Sequence, residues 1–228
     1  TSSKAIPWLR LGVKAVVVCM LIVLVACALQ ALNIGSPEAL MITRWTATGF
    51  LLCAAAAMLY STTVGENTRG ANNNASGVAT LLQLAERLAA SPLQHTDVHL
   101  VATGSNQCWM SGMRHLIETH KFDRATTYIL NIDTVGAGTL AYTTAVGFLQ
   151  MMPCSRTLTE AAHAASPDAT PMRLPTVMSD TLIPLARGYK SMEITSTSRN
   201  EEEDLPADEQ TIAQAADLAE GIMRKLDG

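Results

Sequence analysis

The chain has 228 residues, 48% of them hydrophobic, 16% charged and 4% aromatic, with a formal net charge of −4. The mild acidity and the lack of a basic stripe argue against a nucleic-acid partner. Five cysteines without CxxC or zinc-ribbon spacing argue against a disulfide framework or a structural zinc site, and fit a reducing compartment.

Residues 1–14 form a basic N-terminal segment with Lys4, Arg10 and Lys14. Residues 15–34, AVVVCMLIVLVACALQALNI, are uncharged, long enough as a helix to cross a hydrocarbon core of roughly 30 Å. Residues 45–64, WTATGFLLCAAAAMLYSTTV, are a second uncharged run, diluted by Thr, Ser and Gly. The connection GSPEALMITR holds Gly35 and Pro37, so 15–64 read as a transmembrane hairpin. The first run is too long for a cleaved signal peptide, and a second run follows it. Basic residues precede the first span, whereas the connection has only Arg44. The positive-inside rule therefore places the N-terminus, and after two spans the soluble part, in the cytoplasm of a multi-pass cell-membrane protein. The small residues of ATG at 47–49 and AAAA at 54–57 let helices approach closely, either within the hairpin or against another membrane subunit.

From residue 65 to 228 the composition is that of an α/β domain. VATLLQLAERLAA, 78–90, places Val78, Leu81, Leu82, Ala85 and Leu88 on one helical face. DVHLVATG, 97–104, reads as a strand ending in a glycine loop, and SGMRHLIETH, 111–120, as a helix. TTYILNID, 126–133, is a nearly continuous apolar strand, as a buried central strand should be. TLAYTTAVG, 139–147, reads as a strand, 155–165 as a helix and 166–176 as a Pro-containing loop. A short helix over 179–189, a strand over 190–197, an acidic loop and a final amphipathic helix over about 207–226 complete the chain. This alternation implies a mostly parallel mixed sheet flanked by helices.

Chemistry in such sheets gathers at strand carboxyl ends. Three loops qualify: GANNNASG at 70–77, GSNQCWMSG at 104–112 and NIDTVGAG at 131–138. With SDTLIPLARG at 179–188, these blocks occur in an order that resembles the M28 family of zinc aminopeptidases over about residues 65–227. The resemblance implies a zinc-aminopeptidase-like fold and a site for two zinc ions held by carboxylates and histidines, with one Glu as general base on the bridging water.

Mapped residue by residue, the bridging aspartate falls on Asn73. The general base falls on Asn106, and the adjacent metal-binding glutamate on Gln107. The metal-binding aspartate of the NID block falls on Asp133 and is retained. The last metal histidine falls on Asn200 or Arg199. The first would precede the GAN block, where this chain has no histidine; the strand that carries it is missing or lies before Thr1. Amide oxygens are weak donors beside carboxylates and imidazoles. The resemblance therefore implies a degenerate metal site, with no catalytic residue and no cofactor expected. Asp133 is then expected to bond structurally with Asn73 and Gln107, and Trp109 to fill the vacated space.

The remaining candidates read as ordinary structure. His95, Asp97 and His99 alternate along a strand edge, His115 and His120 sit i to i+5 on a surface helix, and His163 has no partner in sequence. Cys108 lacks a recognisable base, and Asp180 is placed to cap the following helix. Three functions compete: an inactive structural or accessory subunit of a membrane complex, an active zinc aminopeptidase whose first histidine lies upstream, and a module that binds peptides without cleaving them.

Overall fold

The computed structural model describes residues 5–64, 70–147, 150–175, 178–200 and 206–228, which divide into two compact units, Thr1–Thr68 and Arg69–Gly228. The expected acidic loop at 201–205 lies outside the described residues.

The first unit is a helical hairpin of α1 (Ala5–Ala31) and α2 (Pro37–Val64). From Ala5 onward the basic segment is already helical, and α2 begins before the expected residue 45. Proline is pre-organised for a first helical position, and Ser36 Oγ accepts from the Ala39 N–H at 3.5 Å. Arg44 consequently lies within α2, where it donates to Gln30 Oε1 at 2.8 Å. Lys14–Ala31 and Pro37–Tyr60 are long and apolar enough to cross a membrane. Leu21, Leu24, Leu52 and Met58 are exposed, whereas the buried side chains Ala26 and Ala47 are small. The Thr43, Thr46 and Thr63 hydroxyls bond back to carbonyls of their own helix.

The second unit is a mixed α/β domain. Its elements are α3 (Ser76–Ala90), α4 (Ser111–His120), β1 (Tyr128–Ile132), β2 (Leu140–Gly147), β3 (Met152–Pro153), α5 (Arg156–Ala165), β4 (Thr170–Pro175), α6 (Leu182–Ala186), β5 (Lys190–Ser196) and α7 (Glu209–Asp227). β1 pairs with β5 in parallel, Tyr128 opposite Lys190, and β2 pairs with β4 in parallel. β2 runs antiparallel to β5 and to β3. Ala145 and Val146 pair with both β3 and β4, so those strands occupy opposite edges of β2. β3 wedges between the diverging ends of β2 and β5: the Cys154 N–H donates to Thr144 O and the Ser155 N–H to Ser191 O.

One strand, β4, stands where the sequence reading expected a Pro-containing loop over 166–176. β4 carries Pro171 and Pro175, which donate no backbone hydrogen bond and are tolerated at a sheet edge. The reverse holds at 97–104, expected as a strand, which joins no ladder among the described residues. Its apolar alternation is strand-like, but periodicity cannot show whether a neighbouring edge lies within hydrogen-bonding reach.

α3, α5 and α7 pack together, with α5 and α7 against β2 and β5 and α3 against β1; α4 packs with α6. The core, with Leu84, Val135, Val146, Leu158, Leu174, Met192, Ile194, Leu218 and Ile222, excludes water.

Candidate functional site

Three loops build the site: the turn Ala71–Ala75 before α3, residues 103–110 before α4, and the connection after β1. The first is locked by its own polar atoms. Asn72 is buried; its Oδ1 accepts from the Gly136 N–H at 2.9 Å and its Nδ2 donates to Ser198 Oγ at 3.3 Å. Ser76 Oγ accepts from the Val135 N–H at 3.0 Å and donates to Asn72 O. A Cβ on Gly77 would lie 2.6 Å from Ile132 O, and one on Gly136 2.9 Å from both Ala207 Cβ and Ser76 Cβ. The small residues of GANNNASG thus bring the start of α3 against the end of β1, and the first asparagine substitutes for missing backbone partners.

Asn73 departs from helical geometry at φ −116°, ψ 91°, and its side chain is exposed, as is that of Asn74. Asp133 is half-buried and accepts at Oδ1 from Thr134 Oγ1 at 3.1 Å. Thr134 has φ +56°, uncommon for a β-branched residue. Gln107 is exposed. The expected bonds of Asp133 to Asn73 and Gln107 do not occur among the described residues.

Trp109 corrects a second expectation: it does not fill a space beside Asp133 but is 66% exposed. Trp109 and Met110 both have positive φ, at 58° and 54°. Turning the chain twice in this way points Met110, and not the tryptophan, into the core. Asn200 ends the single turn Thr197–Asn200, and its side chain lies outside the described atoms.

Two buried carboxylates, Asp180 and Glu193, gather polar partners that the sequence did not place beside them. Asp180 does not cap α6 with its side chain; it accepts from Thr103 Oγ1 at 2.6 Å and from Asn106 Nδ2 at 3.0 Å. It is almost fully buried, so these charge-assisted bonds are the compensation that a buried carboxylate requires. Beside it, Glu193 is wholly buried in β5 and accepts from the Ser179 and Thr181 hydroxyls. The Glu193 N–H donates to Thr143 Oγ1, which lies 3.3 Å from Cys154 Sγ. Burial pushes the Cys154 thiol up to about 11, against the smaller opposing effect of Thr143. A glutamate in the middle of KSMEITS was the available signal, since a charge inside an apolar strand is costly unless partnered.

The histidines do not converge. His95, His99, His115, His120 and His163 are exposed, and His99 and His120 both flank the Phe122 ring. No group of three or more His, Cys, Asp or Glu side chains able to hold a metal occurs among the described residues.

In α/β domains ligand sites lie at the carboxyl ends of strands, where these loops are found. The sequence model of Peptidase family M28 matches residues 57–220, and the chain belongs to that family. Among solved structures it is similar to BSAP, a zinc aminopeptidase from Bacillus subtilis, at 20% identity and a TM-score of 0.55, covering 69% of this chain and 42% of that one. It is similar to the aminopeptidase from Aneurinibacillus sp. strain AM-1 at 19% identity and a TM-score of 0.57, covering 69% and 40%. The chain thus spans less than half the length of these enzymes, and the likeness is one of fold. No curated protein sequence matches it.

Proposed function

We propose that this chain is a membrane-anchored M28 domain that does not work as a two-zinc peptidase and serves as a structural or accessory subunit of a membrane complex. The observation that carries this reading is the bond from Asn106 to Asp180. At the position where the family resemblance puts the general base stands an amide that donates a hydrogen bond and cannot accept a proton. Asn73 and Gln107 likewise offer amide oxygens where two divalent cations call for carboxylates. The retained Asp133 supplies one charged donor. This set does not fit a dinuclear zinc centre, and no catalytic step is derived through one.

The hairpin supports the anchoring half of the proposal. Its exposed face is apolar, and the interhelical turn at 32–36 has no basic residue, while Lys4, Arg10 and Lys14 precede the first apolar run in sequence. That asymmetry favours a multi-pass protein with both ends of the hairpin, and the folded domain, on the cytoplasmic side. Other membrane subunits are the partners this surface suits.

The test is zinc content and aminoacyl-p-nitroanilide hydrolysis of the protein purified from its own membrane. Neither zinc at stoichiometric level nor hydrolysis is expected. About two zinc ions per chain together with turnover would sink the proposal. Saturable binding of peptides with free N-termini, without cleavage, would instead establish the peptide-binding module.

A further inference from the structure

Arg44 places a charge inside the apolar stretch Pro37–Tyr60 of α2. It is half-buried and donates from Nη1 to Gln30 Oε1 of α1 at 2.8 Å. Gln30 is neutral, and among the described residues no carboxylate comes within ion-pair distance of Arg44. A guanidinium keeps its charge and presents its N–H donors as a planar fork. The bond to Gln30 uses one of those donors and fixes the side chain against α1, leaving the positive charge unanswered by the hairpin itself.

The polar pair marks one level of the hairpin. On α2, residues 45–64 are uncharged and rise about 30 Å as a helix, the thickness of a hydrocarbon core. On α1 a rise of about 30 Å also separates Gln30 from Arg10, and the long Lys14 side chain can extend toward the same end. Gln30 and Arg44 thus cap two apolar lengths of the same size. Trp45, the next residue, is 65% exposed, and tryptophan favours the boundary between hydrocarbon and headgroups. A deeper position would put the guanidinium in hydrocarbon, where a charge is costly. At this level residues 37–44 rise about 10 Å into the headgroup layer, together with the polar Asn33, Ser36 and Glu38.

We infer that Arg44 binds the phosphate of a phospholipid in the leaflet around the interhelical turn. Gln30 orients the guanidinium, and the exposed Trp45 ring lies against the glycerol and upper acyl chain of the lipid. The phosphate offers two oxygens to the guanidinium fork, and at the end of the spans it is the anion that the bilayer itself supplies. The inference rests on the membrane-anchored reading proposed above and gives that anchor a specific lipid contact.

The test uses the full chain in bilayer nanodiscs of phosphatidylcholine and phosphatidylglycerol, with Trp8→Phe and Trp109→Phe leaving Trp45 as the tryptophan that reports. Lipids brominated at successive acyl positions quench it according to depth. Quenching should be strongest from bromines nearest the headgroup. Native mass spectrometry should find phosphatidylglycerol retained at least ~10-fold less by Arg44→Gln, with Arg44→Lys in between, because lysine keeps the charge but not the fork. Strongest quenching from bromines at the chain ends overturns the inference, as does equal lipid retention in Arg44→Gln. So does a membrane protein that co-purifies from the native membrane and is lost in Arg44→Gln while the lipid stays, which would assign the guanidinium to a subunit carboxylate. Alkaline carbonate extraction separates the two readings. A chain released by carbonate takes the proposed anchoring down with the inference, whereas a retained chain with a deeply placed Trp45 removes the inference alone.

Discussion

Asn106 donates its side-chain amide to the buried Asp180 carboxylate at 3.0 Å, joining the loop before α4 to the loop before α6. Replacing it with the acid expected of a base, Asn106→Glu, sets two carboxylates against each other in a poorly solvated place. The folded pair holds a proton more tightly than the unfolded chain. The variant is therefore destabilised near neutral pH and recovers as the pH falls. Urea unfolding at pH 8 should show a loss of about 2–4 kcal/mol that shrinks by pH 5. An unchanged stability at both pH values would mean that the two loops are not coupled through this contact.

The approach of α3 to β1 gives a second prediction. Gly77→Ala places a methyl group 2.6 Å from Ile132 O, a backbone atom that cannot turn aside. A loss of about 1–3 kcal/mol is expected, larger than the small gain that alanine brings to a helix. Thermal unfolding of the two proteins measures it, and a stabilised variant would show that the α3 start is not fixed against the strand.

Cys154 and Cys108 should differ sharply toward iodoacetamide. Cys108 is exposed, whereas Cys154 is buried with its thiol raised to about 11. At pH 8 mass spectrometry should find Cys108 labelled and Cys154 untouched until the protein unfolds. The sign of the linkage follows. A raised pKa means that the folded state retains the proton over the window from about 9 to 11, where the unfolded chain loses it. Stability falls as pH rises through that window. In Cys154→Ser this component of the slope should disappear.

Asp227, at the end of α7, accepts from the N–H groups of Gln94 and His95 at 2.7 and 2.8 Å and so holds the start of the segment 94–103. The backbone hydrogen bond from Gln94, opposed by slight desolvation and aided by His95 N–H and Thr96, holds its carboxyl below the usual range. Its contribution is present at neutral pH and is lost as the pH falls through the lowered folded value. Asp227→Asn keeps the shape but weakens the charge-assisted bonds. Residues 94–103 should be cleaved faster by limited proteolysis, with the rate through α5 unchanged. Equal cleavage rates would show that Asp227 does not pin the segment.

Much of the architecture was legible because periodicity is a local property. The limits of α4 were read directly, and those of β2, β5 and α7 within a residue or two. The contribution of Pro171 and Pro175 to an edge strand was not, because it depends on which strand lies alongside. At the site, the sequence places the amides Asn73, Asn106 and Gln107 where the family resemblance puts carboxylates, and the proposed lack of a two-metal centre rests on those identities. The positions of Trp109 and Asp180 were misjudged. The turn at 105–110 inverts its side chains through positive φ, and Asp180 finds its partners 74 and 77 residues away.

The sequence by itself determined the two apolar helices, the alternation of helix and strand, and the amide character of the strand-end loops. These follow from composition, from the periods of the backbone and from the donor character of single side chains. Only the tertiary structure decided that Asn72 and Ser76 tie α3 to the β1–β2 connection, that Glu193 and Asp180 are buried with hydroxyl and amide partners, and that β1 lines a cavity. Those features arise from hydrogen bonds and close approaches between residues far apart in the chain, which no local pattern encodes.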